Sequence, residues 1–420
     1  MIIIDGPAEL SGEITIQGAK NSTLPLLAAA LLCKGQTVLH NCPDLSDVDT
    51  AVRILEHAGC RCTRDGPDLV VDNAVTRCEI PEELMRGMRS SIVFLGAMVA
   101  RCGQARLCSP GGCELGPRPI DLHLSSLRRL GVEIEESGGW LNCRAPKGVQ
   151  GSYVSLAFPS VGATENLILA AVCGQGTTII ANAAREPEIM DLAEYLNRCG
   201  GRVYGAGESC VIIDGVKELF GSEHRVMPDR IATVTYMAAA AVTGSSVTLR
   251  DVDNTHILPM LSPFEESGCV VRQLSGCLNI MAPRRLNPVK HIRTMPYPGF
   301  PTDAQPAVMS MAAVGRGTSV FVENIFENRY RHADGLQRMG AKIKVEGKVA
   351  VVEGVERLTG ASVEAADLRG GAALVVAGLA AQGRTQVSGE AFIRRGYENL
   401  VGCLADLGAR VRNEGEETGQ

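Results

Sequence analysis

The chain has 420 residues, of which 41 are basic and 47 acidic, and its formal net charge is −6. This length exceeds what one hydrophobic core usually covers, and the mild acidic excess argues against nucleic acid or an anionic membrane as the main partner. No apolar run is long enough to span a bilayer, and the N-terminal MIIIDGPAEL lacks the basic flank of a signal peptide. We therefore expect a soluble, cytoplasmic protein with no nucleic-acid or membrane partner.

The 15 cysteines are scattered along the chain, and no two of them form a C-x-x-C pair. Many lie inside apolar patterns, where cysteine acts as a small hydrophobic residue. This spacing indicates neither a zinc site nor a disulfide framework, so we expect reduced thiols and no metal.

A short sequence motif, typical of the end of a helix and the start of a strand, recurs six times, first as HAGCRC and last as DLGARV. A glycine just after a helix adopts the left-handed backbone conformation without a Cβ penalty. The glycines of the six motifs lie 72, 69, 68, 72 and 68 residues apart, at Gly59, Gly131, Gly200, Gly268, Gly340 and Gly408. Such even spacing predicts six equal structural units.

A second set of segments, all rich in Ala, Leu and Val and each ending in glycine, recurs in phase with the first. They cover residues 21–35, 88–103, 160–176, 228–244, 301–317 and 367–383, and a strand-like run follows each of them. We predict buried helices here, and amphipathic outer helices in segments such as IDLHLSSLRRLG. Each unit is thus predicted as strand, helix, strand, helix, strand, strand, with two domains of three units meeting near residue 228.

Polar residues that occur in one unit only are functional candidates, because structural residues should recur in all six. Most of them stand at the starts of the buried helices: Lys20, Asn21, Arg89, Ser160, Gly162, Asp229, Arg230, Thr302, Asp303, Asp367 and Arg369. For Asp229 and Asp367 a helix cap is the simpler interpretation. Lys20, Arg89 and Arg369 oppose the helix dipole, so we predict that they bind a shared phosphate or carboxylate ligand.

The longest departure from the repeat is SPGGCELGPRPIDLH, residues 109–123. Its glycines and prolines are typical of a mobile lid rather than of a segment packed in the interior. Cys113 lies near its middle and Arg118 follows closely, which favours a thiolate with a functional role over a small apolar filler.

Other positions keep two interpretations. Asp303 in FPTDAQ is either a helix cap or a general base. Arg394 and Arg395 in RRGYENL are predicted at the start of the last amphipathic helix, where Arg394 can simply belong to a solvated face. His123, one turn into the helix after the lid, either packs in the interior or contacts a ligand.

Together these segments resemble the UDP-N-acetylglucosamine 1-carboxyvinyltransferase family of enolpyruvyl transferases. The likeness covers essentially the whole chain and includes, in the family's order, GAKNSTLPLLAAALL, DVDT, MRSSI, PGGCELGPRPIDLH, SVGAT, NAAREPEI, PDRI, FPTD, FENRY, DLR and RGYE. It implies an α/β fold of two inverse α/β barrel domains, each built from three βαβαββ repeats. Residues 20–227 would form the first domain with the Cys113 lid, residues 1–19 and 228–420 the second, and the active site would lie in the cleft between them.

The resemblance implies transfer of enolpyruvate from phosphoenolpyruvate to the 3′-hydroxyl of UDP-N-acetylglucosamine, the first committed step of peptidoglycan synthesis. Cys113 would be the general acid and a nucleophile, and Asp303 the general base. Lys20 and Arg395 would be catalytic cations as well. The residues implied for phosphoenolpyruvate are Lys20, Asn21, Arg118, Arg369 and Arg395. This chemistry requires no metal and no cofactor.

For the nucleotide sugar, the resemblance implies a uracil-binding stretch from Arg118 to Leu122 and a diphosphate loop from Ser160 to Gly162. The implied contacts are Asn21, Arg89, Arg118, Pro119, Ile120, Asp121, Leu122, Ser160, Val161, Gly162, Asp303 and Ile325. The family has known inhibitor chemistry too, and we expect fosfomycin to modify Cys113.

The sequence departs from the family pattern at several places. Phe158 stands where many members have a lysine near the diphosphate, and Val93 replaces a common tryptophan. Arg394 replaces an acidic residue, and Gly370 with Gly371 places two helix-weakening glycines beside Arg369. Two alternatives therefore stand beside the transferase: 5-enolpyruvylshikimate-3-phosphate synthase, which lacks the cysteine lid, and a non-catalytic paralogue that binds UDP-sugar.

Overall fold

The computed structural model describes residues 1–110 and 120–415. The chain forms two compact α/β units, which we call the first unit (residues 18–110 and 120–227) and the second unit (residues 1–17 and 228–415). Every helix in these described ranges falls short of the length and hydropathy that a bilayer-spanning segment needs.

The first unit contains three four-stranded sheets with one common plan. An edge strand pairs in parallel with a central strand, which pairs antiparallel with a hairpin. In sheet order the strands are Glu223–Arg225, Gln36–His40, Asp68–Asp72 and Arg61–Asp65; then Glu79–Ile80, Gln104–Cys108, Trp140–Arg144 and Glu133–Ser137; then Tyr153–Ser155, Thr177–Ala181, Cys210–Asp214 and Val203–Tyr204. A short parallel pair joins Cys33–Lys34 to Leu219–Phe220.

The second unit repeats this plan. Its sheets contain, in order, Glu13–Thr15, Ser246–Arg250, Cys277–Met281 and Val270–Leu274; then His291–Arg293, Thr318–Val322, Val349–Glu353 and Lys342–Glu346; then Ser362–Glu364, Ala381–Ser388, Ile2–Gly6 and Val411–Asn413, with Leu358–Thr359 also beside Ala381–Ser388. The N-terminal strand pairs antiparallel with Ala381–Ser388, so that Ile2 lies opposite Val387 and Ile4 opposite Thr385. The first strand of the chain thus completes the last sheet.

The helices alternate with these strands in two classes. The inner helices are Lys20–Ala30, Phe94–Cys102 with the preceding 3-10 turn Arg89–Val93, Val161–Ala171, Arg230–Thr243, Gln305–Val314 and Leu368–Ala380. The other helices are Ser46–Ala58, Glu82–Gly87, Asp121–Arg129, Pro187–Arg198, Asn254–Glu266, His332–Arg338 with the 3-10 turn Arg329–Arg331, Glu390–Ile393 and Leu400–Asp406. The three inner helices of each unit contact one another and form the centre of its apolar core. The prediction of six buried helices is confirmed.

The six repeated glycines end their helices as predicted. Their φ angles are all positive, +110°, +82°, +98°, +92°, +94° and +99° at Gly59, Gly131, Gly200, Gly268, Gly340 and Gly408. At Gly59 a Cβ atom would also lie 2.7 Å from the carbonyl oxygen of Ala74. Both the backbone conformation and the close approach therefore require glycine at this position.

Candidate active site

Three of the predicted site residues, Cys113, Arg118 and Pro119, lie outside the described residues. Most of the other candidates lie at the starts of the inner helices. The first backbone N–H groups of a helix have no partner within that helix.

In the first unit, Lys20 is the first residue of the inner helix Lys20–Ala30, and no side chain caps that helix start. The lysine is buried, and its Nζ donates a hydrogen bond of 3.2 Å to Oδ2 of the buried Asp47. Asn21 follows and is half-buried. The ion pair with Asp47 offsets the cost of burying a cation at the positive end of a helix.

A buried network holds this helix start in place. The hydroxyl of Ser22 donates to Asp191, and Nε2 of His224 lies 2.9 Å from the other carboxylate oxygen of Asp191. The backbone N–H of Met227 also donates to Asp191, at 3.5 Å. Since these partners come from three separate parts of the chain, the position of Lys20 is fixed by long-range contacts rather than by its own helix.

Arg89 begins the 3-10 turn that precedes the second inner helix, and it is half-buried. Its Nη1 donates to the carbonyl oxygen of Pro110 at 3.3 Å. Pro110 directly precedes residues 111–119, so Arg89 anchors the described end of the predicted lid segment.

The predicted diphosphate loop is the start of the third inner helix, Val161–Ala171. Ser160 caps it, since its Oγ accepts from the N–H of Ala163 at 3.4 Å. At Gly162 a Cβ atom would lie 3.0 Å from Cε1 of His123. Ser160, Val161 and Gly162 are each half-buried.

His123 is a buried, packed residue. Its Nδ1 lies 2.7 Å from Nδ2 of Asn166, and burial, reinforced by the positive charge of Arg89, lowers the pKa of His123 to about 4. The imidazole is therefore neutral near pH 7. It belongs to the helix Asp121–Arg129, in which Asp121 is exposed and Leu122 half-buried, as is the preceding Ile120.

In the second unit, two of the predicted helix caps are confirmed. The carboxylate of Asp229 accepts hydrogen bonds from the N–H groups of Ile231 and Ala232, at 2.8 and 3.0 Å. That of Asp367 accepts from the N–H groups of Arg369 and Gly370, both at 3.0 Å.

The cap interpretation of Asp303 is wrong. The helix Gln305–Val314 begins after Ala304, and no side chain caps it. Instead, Oδ1 of Asp303 accepts a 2.9 Å hydrogen bond from Nη2 of Arg329, and its Oδ2 lies 3.5 Å from Nε of Arg369. Two guanidinium groups favour the ionised carboxylate, which is the form that accepts a proton.

The guanidinium of Arg369 is buried, with 3% of the residue exposed, and lies 5.3 Å from the ring of Tyr397. Among the described residues, none of its three nitrogens makes a hydrogen bond of good geometry, although, against the effect of burial, Tyr397 and Asp303 lie close enough to raise the pKa of Arg369. A buried guanidinium whose only near acceptors lie at long distance is costly unless a ligand supplies better ones. An anion bound beside Asp303 would supply them.

The glycines that follow Arg369 are explained by crowding. A Cβ atom at Gly370 would lie 2.6 Å from Oδ2 of Asp367, and one at Gly371 would lie 2.7 Å from Cβ of Ala365. The close approach of these neighbours requires glycine at both positions, despite its low helix propensity.

The predicted placement of Arg394 and Arg395 is wrong. They follow the short helix Glu390–Ile393, and the last helix, Leu400–Asp406, begins only after its cap Asn399. Arg394 is exposed and Arg395 half-buried. The loop that contains them is tied to the N-terminal segment, because Gln17 donates to the carbonyl oxygen of Gly396 and accepts from the N–H of Glu398.

Ile325 lies in a loop fixed by the buried Glu323. One carboxylate oxygen of Glu323 accepts from the N–H groups of Ile325 and Phe326, at 2.8 and 3.1 Å, and the other accepts from the hydroxyl of Thr302 at 3.0 Å. Glu323 thus joins the loop of Ile325 to the segment that contains Asp303.

The sequence reasoning missed Asp47, Glu323 and Arg329 as parts of the site. Arg329 lies within the quoted segment FENRY, and Asp47 is the first residue of the quoted DVDT, but no single residue was distinguished in either segment. These three residues are identified by a buried charge that lies beside a partner distant in sequence. Neither the burial nor the partner can be read from the sequence pattern.

Phe158, by contrast, lies at the surface: 43% of the residue is exposed. Its backbone carbonyl oxygen accepts from the N–H of Ser160 at 2.7 Å, so the residue lies next to the predicted diphosphate loop. An exposure of this size does not fit apolar packing of Phe158 beneath that loop.

Comparisons with known proteins agree with this geometry. The family model of EPSP synthase (3-phosphoshikimate 1-carboxyvinyltransferase) matches residues 4–404. The chain is 49% identical to UDP-N-acetylglucosamine 1-carboxyvinyltransferase 2 of Caldanaerobacter subterraneus subsp. tengcongensis, over 97% of this chain and 98% of that protein. It is 46% identical to UDP-N-acetylglucosamine 1-carboxyvinyltransferase 1 of Symbiobacterium thermophilum, over 97% of this chain and 94% of that protein.

Solved structures show the same fold. The enolpyruvyl transferase NikO from Streptomyces tendae superposes with a TM-score of 0.89 at 26% identity, covering 98% of both chains. EPSP synthase from Acinetobacter baumannii superposes with a TM-score of 0.77 at 18% identity, again over 98% of both chains, which supports the fold alone.

Proposed function

Because the chain belongs to the enolpyruvyl transferase family, we propose that it transfers the enolpyruvyl group of phosphoenolpyruvate to the 3′-hydroxyl of UDP-N-acetylglucosamine and releases phosphate. This enzyme would be a UDP-N-acetylglucosamine 1-carboxyvinyltransferase, acting in the cytoplasm at the first committed step of peptidoglycan synthesis. The structural observation that carries the proposal is the buried guanidinium of Arg369, without a hydrogen bond of good geometry among the described residues, beside the carboxylate of Asp303.

The reaction has two steps. The 3′-hydroxyl oxygen bonds to C2 of phosphoenolpyruvate while Asp303 takes the hydroxyl proton and Cys113 delivers a proton to C3. The vinyl group thereby becomes a methyl group in a tetrahedral intermediate. Phosphate then leaves C2 with the proton held by Asp303, and the Cys113 thiolate takes a proton from C3, which restores the double bond.

The substrate and intermediate are polyanions, and cations at fixed positions stabilise them. Arg369 and Arg395 in the second unit, and Lys20 in the first, would bind the phosphate and carboxylate of phosphoenolpyruvate, together with Asn21 and Arg118. The burial of Lys20 and Arg369 supports this role, because a cation in a water-poor site acts more strongly on an anion.

The nucleotide sugar would be bound by the stretch Arg118 to Leu122 and by the loop of Ser160, Val161 and Gly162. Ser160 to Gly162 form the start of an inner helix, and a helix start favours a diphosphate. Asn21, Arg89, Asp303 and Ile325 would contact the sugar and its phosphates.

Phosphate release from phosphoenolpyruvate tests the function. We expect release with UDP-N-acetylglucosamine and none with shikimate 3-phosphate. Release with shikimate 3-phosphate alone would identify a 5-enolpyruvylshikimate-3-phosphate synthase. Binding of UDP-N-acetylglucosamine without turnover would identify a non-catalytic paralogue.

The role of Cys113 has its own test. Fosfomycin is a phosphonate epoxide, so its phosphonate would occupy the phosphate site and present the epoxide to the Cys113 thiolate. Peptide mapping of the inactivated enzyme should find one added fosfomycin on Cys113. An adduct on another cysteine, formed in proportion to lost activity, would contradict this role.

A further inference from the structure

Arg329 is a fully buried arginine whose contacts converge on the segment of Asp303. Only 1% of the residue is exposed. Its Nε and Nη2 both donate to the carbonyl oxygen of Thr302, at 3.0 and 2.9 Å, and Nη2 also donates to Oδ1 of Asp303 at 2.9 Å. One planar group thus binds the backbone and the side chain of two successive residues.

The arginine itself is held from several sides. Its Nη1 lies 3.6 Å from Oδ1 of Asp367, and the ring of Phe326 lies 5.8 Å from its guanidinium carbon. Its carbonyl oxygen lies 3.1 Å from Nδ1 of the buried His332. Asp367 is fixed in turn as a helix cap. The guanidinium therefore has little freedom to rotate, and it transmits that rigidity to its partners.

The two oxygens of Asp303 have different neighbours: Oδ1 is bound by Arg329, and Oδ2 lies 3.5 Å from Arg369. A distance of 3.5 Å is too long for a strong hydrogen bond, whereas 2.9 Å is close to the optimum. The orientation of the carboxylate plane is consequently determined by Arg329 more than by Arg369.

We propose that Arg329 is a positioning residue that orients the carboxylate of Asp303 toward the substrate hydroxyl. The inference rests on the proposed function, in which Asp303 accepts the hydroxyl proton. General-base catalysis depends on hydrogen-bond geometry, and a small displacement of the base slows the reaction strongly. Lysine cannot replace the guanidinium here, because an ammonium group does not present the planar fork that binds Thr302 and Asp303 together.

The test compares Arg329→Lys and Arg329→Met with the wild-type chain. We expect Arg329→Lys to lower kcat by roughly ten- to a hundredfold, because the base is misplaced. The Michaelis constant for UDP-N-acetylglucosamine should change less than about threefold, since Arg329 acts on the proton transfer and not on binding. The matched control is Arg338→Lys, at an exposed position on the next helix, and it should retain wild-type kinetics.

A double-mutant cycle identifies the partner through which Arg329 acts. In an Asp303→Ala background, Arg329→Lys should cause no further loss of single-turnover rate, because the group that it positions is gone. Independent, multiplicative losses would place its effect elsewhere and overturn the proposal.

Other outcomes are also decisive. A kcat within about twofold of wild type in Arg329→Lys, or a change confined to the Michaelis constants, would overturn the inference. Arg329→Met leaves two carboxylates without their partner and can fail to fold, in which case melting and kinetics of Arg329→Lys decide. Failure of both variants to fold would show a structural role only. If the wild-type chain releases no phosphate with UDP-N-acetylglucosamine, the proposed function itself is wrong.

Discussion

Two of the three inner helices in each unit differ between the units in how they begin. In the first unit, Lys20 and Arg89 open their segments without a side-chain cap. In the second unit, the carboxylates of Asp229 and Asp367 cap the helices through two N–H groups each. The remaining inner helix of each unit differs from the other two, because Ser160 caps Val161–Ala171 in the first unit and no side chain caps Gln305–Val314 in the second. The same repeat therefore builds two uncapped helix starts with cations in one unit and two carboxylate-capped starts in the other.

This difference indicates a division of roles. Uncapped N–H groups and nearby cations attract an anion, which suits phosphoenolpyruvate at Lys20 and the nucleotide sugar at Arg89. In the second unit, Arg329 and Arg369 both lie near Asp303, a geometry that suits proton transfer next to a charged intermediate. Under the proposed function, the first unit therefore binds substrate anions, and the second adds the proton acceptor Asp303 beside two arginines.

Substitution of Arg369 should have the largest effect on this division. Arg369→Ala removes a buried cation from the proposed anion site, and we expect kcat/KM for phosphoenolpyruvate to fall by about 10²- to 10³-fold, or about 3 to 4 kcal/mol. The control is Arg384→Ala, an exposed arginine paired with Asp5 in the same unit, which should leave kcat/KM unchanged. Steady-state kinetics with equal losses in both variants would show that Arg369 acts through stability alone.

In each unit a buried histidine lies near an arginine, His123 near Arg89 and His332 near Arg329, and these two histidines predict acid sensitivity. Burial is the main cause that lowers the pKa of His123 and of His332 to about 4, while Arg89 and Arg329 lower it further and Asp121 and Asp367 oppose them. Their unfolded pKa is about 6.5, so the unfolded chain binds more protons between these values. Stability is therefore lost as the pH falls from about 6.5 toward about 4.

The size of this loss is up to about 1.4 kcal/mol per pH unit for each histidine within that window. Urea unfolding midpoints of the wild type and of His123→Gln, measured from pH 7.5 to 4.5, would check it. The variant should show the shallower dependence, and His291→Gln, at an exposed position, should follow the wild type. Parallel curves for wild type and His123→Gln would contradict the prediction.

Local features of the fold could be predicted from the sequence, because neighbouring residues determine them. The helix-ending glycines and the caps Asp229 and Asp367 are examples, since the cap and its N–H partners are two or three residues apart. Lys20 and Asp47, or Arg329 and Asp303, are 27 and 26 residues apart, and only tertiary packing brings them together. The wrong placement of Arg395 has a local cause: the chain forms a separate short helix after Gly389, whose φ is +75°.

Substitutions of the helix caps test the difference between the two units through a smaller effect, a change in unfolding free energy. Asp229→Ala removes an acceptor of two buried hydrogen bonds, and we expect a loss of about 1 to 2 kcal/mol in unfolding free energy. Ser160→Ala in the first unit removes a single long hydrogen bond of 3.4 Å and should cost only about 0.5 kcal/mol. Asp229→Asn, which keeps an acceptor, is the control. Equal melting shifts for the two alanine variants would show that the units do not differ in capping.

The smallest effect is expected at Phe158, where the family resemblance implies a lysine near the diphosphate. Phe158→Lys adds a cation beside the loop of Ser160, and we expect the Michaelis constant for UDP-N-acetylglucosamine to fall by about two- to fivefold. The gain is limited to about 0.5 to 1 kcal/mol, because a partly exposed charge pair is screened by water. The constant for phosphoenolpyruvate and the melting temperature should not change, since 43% of Phe158 is exposed and little burial is lost.

Tyr153→Lys, at a 60% exposed position of the same unit, is the matched control and should leave both constants unchanged. A higher Michaelis constant together with a lower melting temperature would show that Phe158 supports the loop by packing, and that the first unit does not gain affinity simply from one more cation.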